Sequence, residues 1–332
     1  MGGNAYYDYE FDKEGNPILN SIPPGPVWLT NLLGKDFFPN IIRIELGETQ
    51  ITDRELVYIE GLTKVQDLDL SYTKITDKGL IHLKGLTQLQ TLNLDKTQIS
   101  GKALENLKGL IQLQELYLNK TQVTDIDLKH LKELTKLQIL ELEETQITDT
   151  GLMYLKGLVQ LQIISLNNTK VTDIGLIHLK GLTQLQWLNL EDTKITDIGL
   201  KHITEEFPQL HGLRLFKTNV TDAGLEYIKG LTNLEVLELD KTLVSDIGLS
   251  YIQGLINLVE LNLNDNNITD QGLSYLKKLP KLWQLNLTDT KVTEDGVKDL
   301  VKALPNIRIS GLRFRLPYPN VVTPFEASLR NH

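Results

Sequence analysis

The sequence contains no cysteine, which excludes disulfide bonds, thiolate metal sites and a cysteine nucleophile. Only 6% of the 332 residues are aromatic, whereas 41% are hydrophobic, so the core has to be built mainly from leucine and isoleucine. There is no apolar run of about 18 residues and no signal-peptide pattern at the start. As written, we expect a cytoplasmic chain that inserts into no membrane; if an N-terminal anchor has been removed, we expect a cell-envelope or extracellular protein.

Basic residues are outnumbered by acidic residues. The chain has 34 lysines and arginines against 43 aspartates and glutamates, which gives a formal net charge of -9. Such a surface repels phosphate groups and therefore disfavours nucleic acid as a partner. A partner with a basic surface, or with a mixed basic and apolar surface, is favoured instead.

One pattern recurs along most of the chain, a pair of aliphatic residues separated by one residue. Successive pairs are 24 residues apart, except where one extra residue within 204–208 shifts the register once. The pairs begin at Ile44, Leu68, Leu92, Leu116, Leu140, Ile164, Leu188, Leu213, Leu237, Leu261 and Leu285. No single unit can enclose its own apolar residues, so the eleven units must stack on one another.

Each unit combines a strand pattern with a helix pattern. In residues 66–89, Leu68 and Leu70 alternate with polar residues, which predicts a short strand. Thr76 and Asp77 then provide a cap and a first-turn charge, and Gly85 suits a helix stop, so a short helix is predicted after each strand. The aspartate column to which Asp77 belongs is explained by this first-turn stabilisation.

The repeat resembles that of a known family. The pattern Leu113-x-x-Leu116-x-Leu118-x-x-Thr121-x-Val123 looks like a leucine-rich repeat of the ribonuclease-inhibitor-like kind, and the resemblance covers about residues 41–312. Residues 75–90 are similar to the variety found in planctomycete-type bacterial proteins. The resemblance implies an α/β fold, a right-handed solenoid or horseshoe of 24-residue repeats with a parallel concave β-sheet and short convex helices.

The ends of the chain differ from the repeats. Residues 1–40 carry an apolar cluster that includes Trp28, Phe37 and Phe38, and we interpret them as an N-terminal cap on the repeats at 41–312. Residues 313–332 are interpreted as a C-terminal tail or cap. Within the repeats, threonine takes the place of the family's usual turn asparagine or cysteine, and we expect a structural column of buried hydroxyl groups.

No pattern in the chain favours catalysis. There is no phosphate loop, no G-x-S-x-G elbow and no H-E-x-x-H helix. His178 and His202 share a helix position in adjacent repeats, but no third ligand for zinc accompanies them. Glu115, Glu141 and Glu143 are near neighbours without evident convergence on one point, which disfavours calcium. We therefore predict no catalytic residues, no metal site and no cofactor.

The open face of the predicted sheet consists of the positions just before, between and just after each aliphatic pair. Only Arg43 and Arg214 are basic in the eleven units of this open face. The acidic members are Glu45, Asp67, Asp69, Asp95, Glu115, Glu141, Glu143, Glu191, Glu238, Asp240 and Glu260. Two interpretations remain open, attraction of a basic partner or solubility of a broad exposed sheet.

Large apolar side chains interrupt this acidic face. Ile139, Ile163 and Trp187 share one strand position in three consecutive repeats, and Tyr117 and Phe216 lie close by. Such a patch is typical of a contact site, although these side chains could instead only cover one another and neighbouring strands. As the partner-binding set we predict Trp187, Ile139, Ile163, Phe216 and Tyr117 with the charged rim Glu141, Glu143, Glu191 and Glu238.

The leading hypothesis is a monomeric, non-enzymatic scaffold that binds another protein on this acidic concave face. The alternative is a structural or cell-surface spacer, anchored to a membrane in its full-length form. An enzyme would require chemistry from a further domain, because residues 1–332 leave no part of the chain spare.

Overall fold

The computed structural model describes residues 4–7, 41–314 and 321–322, with backbone alone for 4–7 and 321–322. The predicted cap at 1–40 and the predicted tail at 313–332 therefore lie almost entirely outside the described residues. The chain divides into two compact units, Met1–Ile164 and Ser165–His332. None of the helices in the described ranges is long and apolar enough to cross a membrane.

The first unit is a sheet of short strands. Strand β1 pairs with β2 in the antiparallel sense, whereas β2 to β6 pair in parallel, each with the strand of the next repeat. The strands are β1 (Asn4–Tyr7), β2 (Ile41–Glu45), β3 (Asp67–Asp69), β4 (Thr91–Asn93), β5 (Glu115–Tyr117), β6 (Ile139–Glu141) and β7 (Ile163–Ser165), within which the unit ends.

Most connecting segments of the first unit are 3₁₀ turns, where the sequence predicts short helices. They span Glu55–Ile59, Gly79–Leu83, Gly101–Leu107 and Asp125–Leu131, and only α1 (Asp149–Leu152) is an α-helix, continued by a 3₁₀ turn at Met153–Leu155. The length of the segment does not explain this difference, because seven-residue segments such as Asp222–Ile228 are α-helical in the second unit.

The second unit follows the predicted strand-and-helix order more fully. Its strands are β8 (Trp187–Asn189), β9 (Gly212–Arg214), β10 (Val236–Glu238), β11 (Glu260–Asn262), β12 (Gln284–Asn286), β13 (Arg308–Ser310) and β14 (Val321–Val322), all in parallel register. Its helices are α2 (Asp173–Leu176), continued by a 3₁₀ turn at Ile177–Leu179, then α3 (Asp197–Glu206), α4 (Asp222–Ile228), α5 (Asp246–Ile252), α6 (Asp270–Leu276) and α7 (Glu294–Ala303). The extra residue within 204–208 lengthens α3, and Phe207 after it is fully buried.

The core is made of aliphatic columns, as the sequence predicts. In the repeat that begins at residue 66, the side chains of Ile75, Leu80, Leu83, Leu86 and Leu89 have no exposed surface. The same positions are buried in the other repeats of both units, except for the half-buried Leu62 and Val292 in the first and last repeats. Burial of such side chains supplies most of the stabilising free energy of a stacked repeat.

The predicted threonine column is buried, and most of its hydrogen bonds stay within one repeat, although Thr242 Oγ1 also donates to Asn266 Oδ1 of the next repeat at 3.1 Å. Thr145 is 2% exposed, and its Oγ1 donates to the Leu142 carbonyl oxygen at 2.6 Å. Thr73, Thr97 and Thr121 make the same bond to the residue three positions earlier. The column therefore satisfies turn carbonyl groups, as predicted, without forming a continuous ladder between repeats.

The aspartate column does more than stabilise a first turn, because each carboxylate also binds the next repeat. Asp53 accepts hydrogen bonds from both the backbone N–H and the hydroxyl of Thr76, at 2.7 and 2.6 Å. The same pair of hydrogen bonds joins Asp77 to Ser100, Asp125 to Thr148, Asp173 to Thr196, Asp197 to Thr221, Asp222 to Ser245, Asp246 to Thr269 and Asp270 to Thr293. The Thr-Asp-x-Gly pattern thus encodes a contact between repeats.

Candidate functional site

The open face of the first unit carries five of the predicted residues: Tyr117, Ile139, Glu141, Glu143 and Ile163. All five are half-buried, so each keeps exposed surface on this face. Strand pairing places Tyr117 beside Glu141, and Glu115 beside Ile139. Ile163 continues the same row at the start of β7.

These side chains lie in a network of carboxylates and amides. The Tyr117 hydroxyl donates to Glu115 Oε2 at 2.9 Å, and Asn119 Nδ2 donates to Glu141 Oε2 at 2.6 Å. Asn119 Nδ2 also donates to Asp95 Oδ2 at 3.1 Å. Glu143 lies 3.5 Å from Lys120 Nζ. The network holds the carboxylates in place, so the negative charge of this face is preformed.

Burial and mutual repulsion act on the titration of this network. Burial raises the pKa of Asp95 above its ordinary value, the hydrogen bonds from Asn119 oppose that change, and the charges of Glu141 and Glu143 add to it. Burial and the hydrogen bond to Glu115 likewise raise the pKa of Tyr117. The Tyr117 ring is therefore neutral at physiological pH and presents an apolar face with a polar tip.

A depression of about 450 Å³ lies near the beginning of this face. Its lining includes Arg43, Glu45, Asp67, Asp69, Glu115 and Tyr117. The Arg43 Nε atom donates to Asp67 Oδ2 at 3.4 Å across two adjacent strands. The sequence identified these acidic residues only by their strand positions in the repeats. The depression that they line is visible only in the tertiary structure.

The open face of the second unit carries Trp187, Glu191, Phe216 and Glu238. Strand pairing sets Trp187 beside Gly212, and a Cβ atom built on Gly212 would overlap the six-membered ring of the indole. The ring therefore lies against the bare glycine backbone, and Trp187 is half-buried. The sheet covers part of the Trp187 side chain. The sequence predicted such cover only as the alternative to a contact site.

The other three residues of this set belong to different parts of the face. Phe216 lies two residues beyond the end of β9, roughly 13 Å along the strand direction from the level of Trp187. Lys241 Nζ lies 5.5 Å from the centroid of the Phe216 ring. Glu238 is 3.2 Å from Arg214 Nε, and Glu191 donates its backbone N–H to Asn189 Oδ1 at 3.1 Å. Trp187 and Phe216 therefore lie at different levels of the open face, not side by side.

Burial also raises the pKa of Glu238, although the Arg214 guanidinium opposes this effect. Asp240 and Glu260 add to it through like-charge repulsion. The second unit therefore holds a smaller acidic group around Glu238 than the group in the first unit. Within the described ranges, no group of three or more His, Cys, Asp or Glu residues could hold a metal ion.

The sequence interpretation missed one exposed aromatic residue. Trp283 is 42% exposed, and the Arg308 guanidinium lies 4.5 Å from the centroid of its ring. Its position just before the strand is occupied by glutamine in six earlier repeats, from Gln66 to Gln186. This departure from the repeat consensus was the signal that could have identified it.

Comparisons with known proteins agree with this architecture. Two models described as leucine-rich repeat match the chain, one at residues 135–195 and 232–292 and the other at residues 61–83. No curated protein matches the sequence of the chain.

Two solved structures illustrate the similarity of fold. An internalin (InlF) from Listeria monocytogenes is 22% identical, with a TM-score of 0.58 and coverage of 86% of this chain and 94% of the internalin chain. A leucine-rich-repeat protein from Leptospira interrogans is 18% identical, with a TM-score of 0.61 and coverage of 82% and 72%. At these identities the likeness concerns the fold. The chain therefore carries leucine-rich repeats and has the fold of a leucine-rich-repeat solenoid.

Proposed function

We propose that this chain is a non-enzymatic scaffold that binds another protein through the open face of its sheet. Leucine-rich-repeat proteins generally mediate protein–protein interactions and are typically not enzymes. The Thr-Asp-x-Gly-Leu pattern favours the ribonuclease-inhibitor-like variety, as in planctomycete-type proteins. We propose a monomer whose partner has a basic, or mixed basic and apolar, surface and is not a nucleic acid.

The observation that carries the proposal is the charge of the open face in the first unit. Seven carboxylates lie at its strand positions, where Arg43 is the one basic residue: Glu45, Asp67, Asp69, Asp95, Glu115, Glu141 and Glu143. Lys120 Nζ lies beside this group, 3.5 Å from Glu143, and the group keeps an excess of negative charge. An excess of charge on an exposed face steers an oppositely charged partner and fixes its orientation. The half-buried Tyr117, Ile139 and Ile163 supply apolar contact area within the same unit.

In the second unit we propose Trp187 as an anchor residue, with Phe216, Glu191 and Glu238 as further contacts. Trp187 rests on Gly212, so its orientation is fixed before binding and little side-chain entropy is lost on association. Tryptophan side chains of this kind are enriched among residues whose truncation weakens interfaces most. The two units are tested separately, because each has its own set of residues.

The test is affinity capture from lysate and envelope fractions of the source organism, followed by calorimetry with the captured protein. The variants are Glu141→Lys for the first unit and Trp187→Ala for the second. Matched controls are Glu105→Lys, which makes the same charge change in the 3₁₀ turn Gly101–Leu107, and Trp283→Ala, which removes another tryptophan. Circular dichroism first establishes that each variant is folded.

We expect each site variant to weaken binding by about tenfold or more, which is about 1.4 kcal/mol, and each control by much less. We also expect the affinity of wild type to fall as salt increases, because the attraction is partly electrostatic. A captured protein that binds all four variants as tightly as wild type would refute the proposed face. Empty captures from both fractions would instead favour the spacer, anchored to a membrane in its full-length form.

A further inference from the structure

Two buried acceptor oxygens in the second unit have no hydrogen-bond partner among the described residues, Oδ1 of Asp240 and Oδ1 of Asn264. Both residues follow adjacent strands, β10 and β11. The backbone N–H of Lys241 donates to the Asn264 carbonyl oxygen at 2.9 Å, so parallel pairing continues to this level. Asp240 is 8% exposed and Asn264 is half-buried, which places the pair at the floor of the open face.

The first unit contains the same two residue types at the same two positions of consecutive repeats, Asp95 and Asn119. There, the Asn119 backbone N–H donates to Asp95 Oδ1 at 2.7 Å, and Asn119 Nδ2 donates to Asp95 Oδ2 at 3.1 Å. The Asn119 Oδ1 atom accepts the backbone N–H of Glu143 at 2.7 Å. Every side-chain oxygen of this pair therefore has a donor within the chain.

The difference is explained by the residue two positions before the asparagine. In the second unit that residue is Asn262, whose Oδ1 already accepts the backbone N–H of Asn264 at 3.2 Å. In the first unit it is Tyr117, whose hydroxyl is directed to Glu115 and leaves the Asn119 N–H available for Asp95. The Asn264 N–H consequently does not reach Asp240, and the repeat fold does not need a carboxylate at position 240.

The surroundings of the pair are negative and partly apolar. Glu238 lies two residues before Asp240 and pairs with Arg214 Nε at 3.2 Å. The charges of Asp240 and Glu260 help to raise the pKa of Glu238 against the effect of Arg214, which indicates that the three carboxylates are close. Phe216 holds the equivalent position in the preceding repeat, with Lys241 Nζ 5.5 Å from its ring centroid. A group that satisfies both orphaned oxygens must donate hydrogen bonds, and positive charge favours it here.

We propose that the Asp240–Asn264 pair receives the guanidinium of an arginine side chain from the partner protein. A guanidinium has donors only, and its planar fork donates from two nitrogens to acceptors on neighbouring positions. The aliphatic stem of that arginine packs near Phe216, and its charge adds to that of Arg214 in offsetting the charges of Asp240, Glu238 and Glu260. This inference rests on the proposed function and names the partner chemistry that the second unit recognises.

The experiment measures binding of a tri-arginine peptide, with tri-lysine and tri-glutamate peptides for comparison, by calorimetry at low salt. Asp240→Asn is compared with Asp265→Asn, which removes the same charge from an exposed position of the same unit outside the proposed binding set. We expect Asp240→Asn to weaken tri-arginine binding by about tenfold or more and Asp265→Asn by less than about threefold. We expect tri-lysine to bind wild type more weakly than tri-arginine, since it lacks the fork.

Thermal unfolding separates a binding role from a structural one. We expect Asp240→Asn to melt at the same temperature as wild type or higher, because a buried carboxylate oxygen without a donor destabilises the folded state. Asp95→Asn should melt lower, because it disturbs a bonded pair. The proposal is overturned if Asp240→Asn melts lower as well, if Asp240→Asn and Asp265→Asn weaken tri-arginine binding equally, or if wild type does not bind the peptide.

The outcome is separable from that of the proposed function. If wild type captures a protein partner whose affinity is unchanged by Asp240→Asn, the arginine site is wrong while the scaffold function stands. If tri-arginine binding depends on Asp240 but no protein is captured through the open face, the site stands as a guanidinium site and the scaffold function fails.

Discussion

The carboxylate of Asp127 occupies the space that a side chain on Gly101 would fill. In other repeats the aspartate and glycine are exchanged, as where the Asp53 carboxylate lies 2.5 Å from a Cβ atom built on Gly79. Asp127 accepts hydrogen bonds from the backbone N–H and the hydroxyl of Thr124, at 2.9 and 2.6 Å. In the other repeats, the aspartate at the position of Gly101 accepts these two bonds. A carboxylate therefore fills this gap between repeats from either side.

This exchange predicts strong coupling between the two positions. Gly101→Asp alone should lower the free energy of unfolding by about 1–3 kcal/mol, because two carboxylates compete for one space. Asp127→Gly alone should cost about 1–2 kcal/mol, because Thr124 loses its acceptor. The double variant recreates the arrangement of the other repeats and should recover most of both losses. Chemical denaturation of all four proteins forms the cycle, and strictly additive losses would contradict it.

The buried hydroxyl column predicts a cost for an isosteric apolar replacement. Thr145→Val keeps the volume but leaves the Leu142 carbonyl oxygen without its hydroxyl donor. The free energy of unfolding should fall by about 1–2 kcal/mol. Thr135→Val is the matched control at an exposed position and should change it by less than about 0.5 kcal/mol. Equal effects at the two positions would remove the structural role assigned to the column.

The contact between Trp187 and Gly212 predicts a packing conflict. Gly212→Ala places a methyl group where the indole ring lies, so the ring must move outward and the protein should lose about 1–3 kcal/mol of stability. Acrylamide quenching should show a more accessible tryptophan. Gly254→Ala, where an added Cβ meets no atom within 4 Å, is the control. Unchanged quenching in Gly212→Ala would show that the ring does not rest on this glycine.

One residue of each repeat adopts a left-handed backbone conformation without being glycine, among them Asp265 with φ of 55°. A β-branched side chain is strongly disfavoured there, so Asp265→Val should destabilise the protein by about 1–2 kcal/mol. Asp265→Gly should leave stability unchanged or raise it slightly, because glycine adopts this conformation without steric cost. Thermal unfolding measures the difference, and a valine variant as stable as the glycine variant would contradict the assignment.

The raised pKa of Asp240 predicts a pH dependence of stability. Burial raises this pKa above the ordinary value of about 4, so the folded state holds the proton more tightly than the unfolded state. The destabilising effect of the charged carboxylate is therefore fully present above the raised pKa and is lost as pH falls towards 4. Wild type should gain stability relative to Asp240→Asn between pH 7 and pH 4, as measured by denaturant titrations. A difference between wild type and Asp240→Asn that stays constant from pH 7 to pH 4 would contradict this prediction.

The sequence by itself determined the repeat length, the strand positions and the core. Leucine pairs such as Leu68 and Leu70 recur at a fixed spacing. Because one repeat cannot bury its own aliphatic residues, the repeats must stack. The acidic character of the open face was also readable, because alternation along a strand assigns each residue to one side of the sheet. These features depend on periodicity, and periodicity is visible in a single chain.

Only the tertiary structure decided which side chains of neighbouring repeats meet. Asp53 reaches Thr76 and Trp187 lies on Gly212 because residues 23 to 25 apart become adjacent, and rotamers then select the contact. The orphaned oxygen of Asp240 has the same origin, since it depends on whether Asn262 or a preceding aspartate takes one backbone N–H. Such competition between donors and acceptors is settled by distance and geometry, which composition and spacing do not contain.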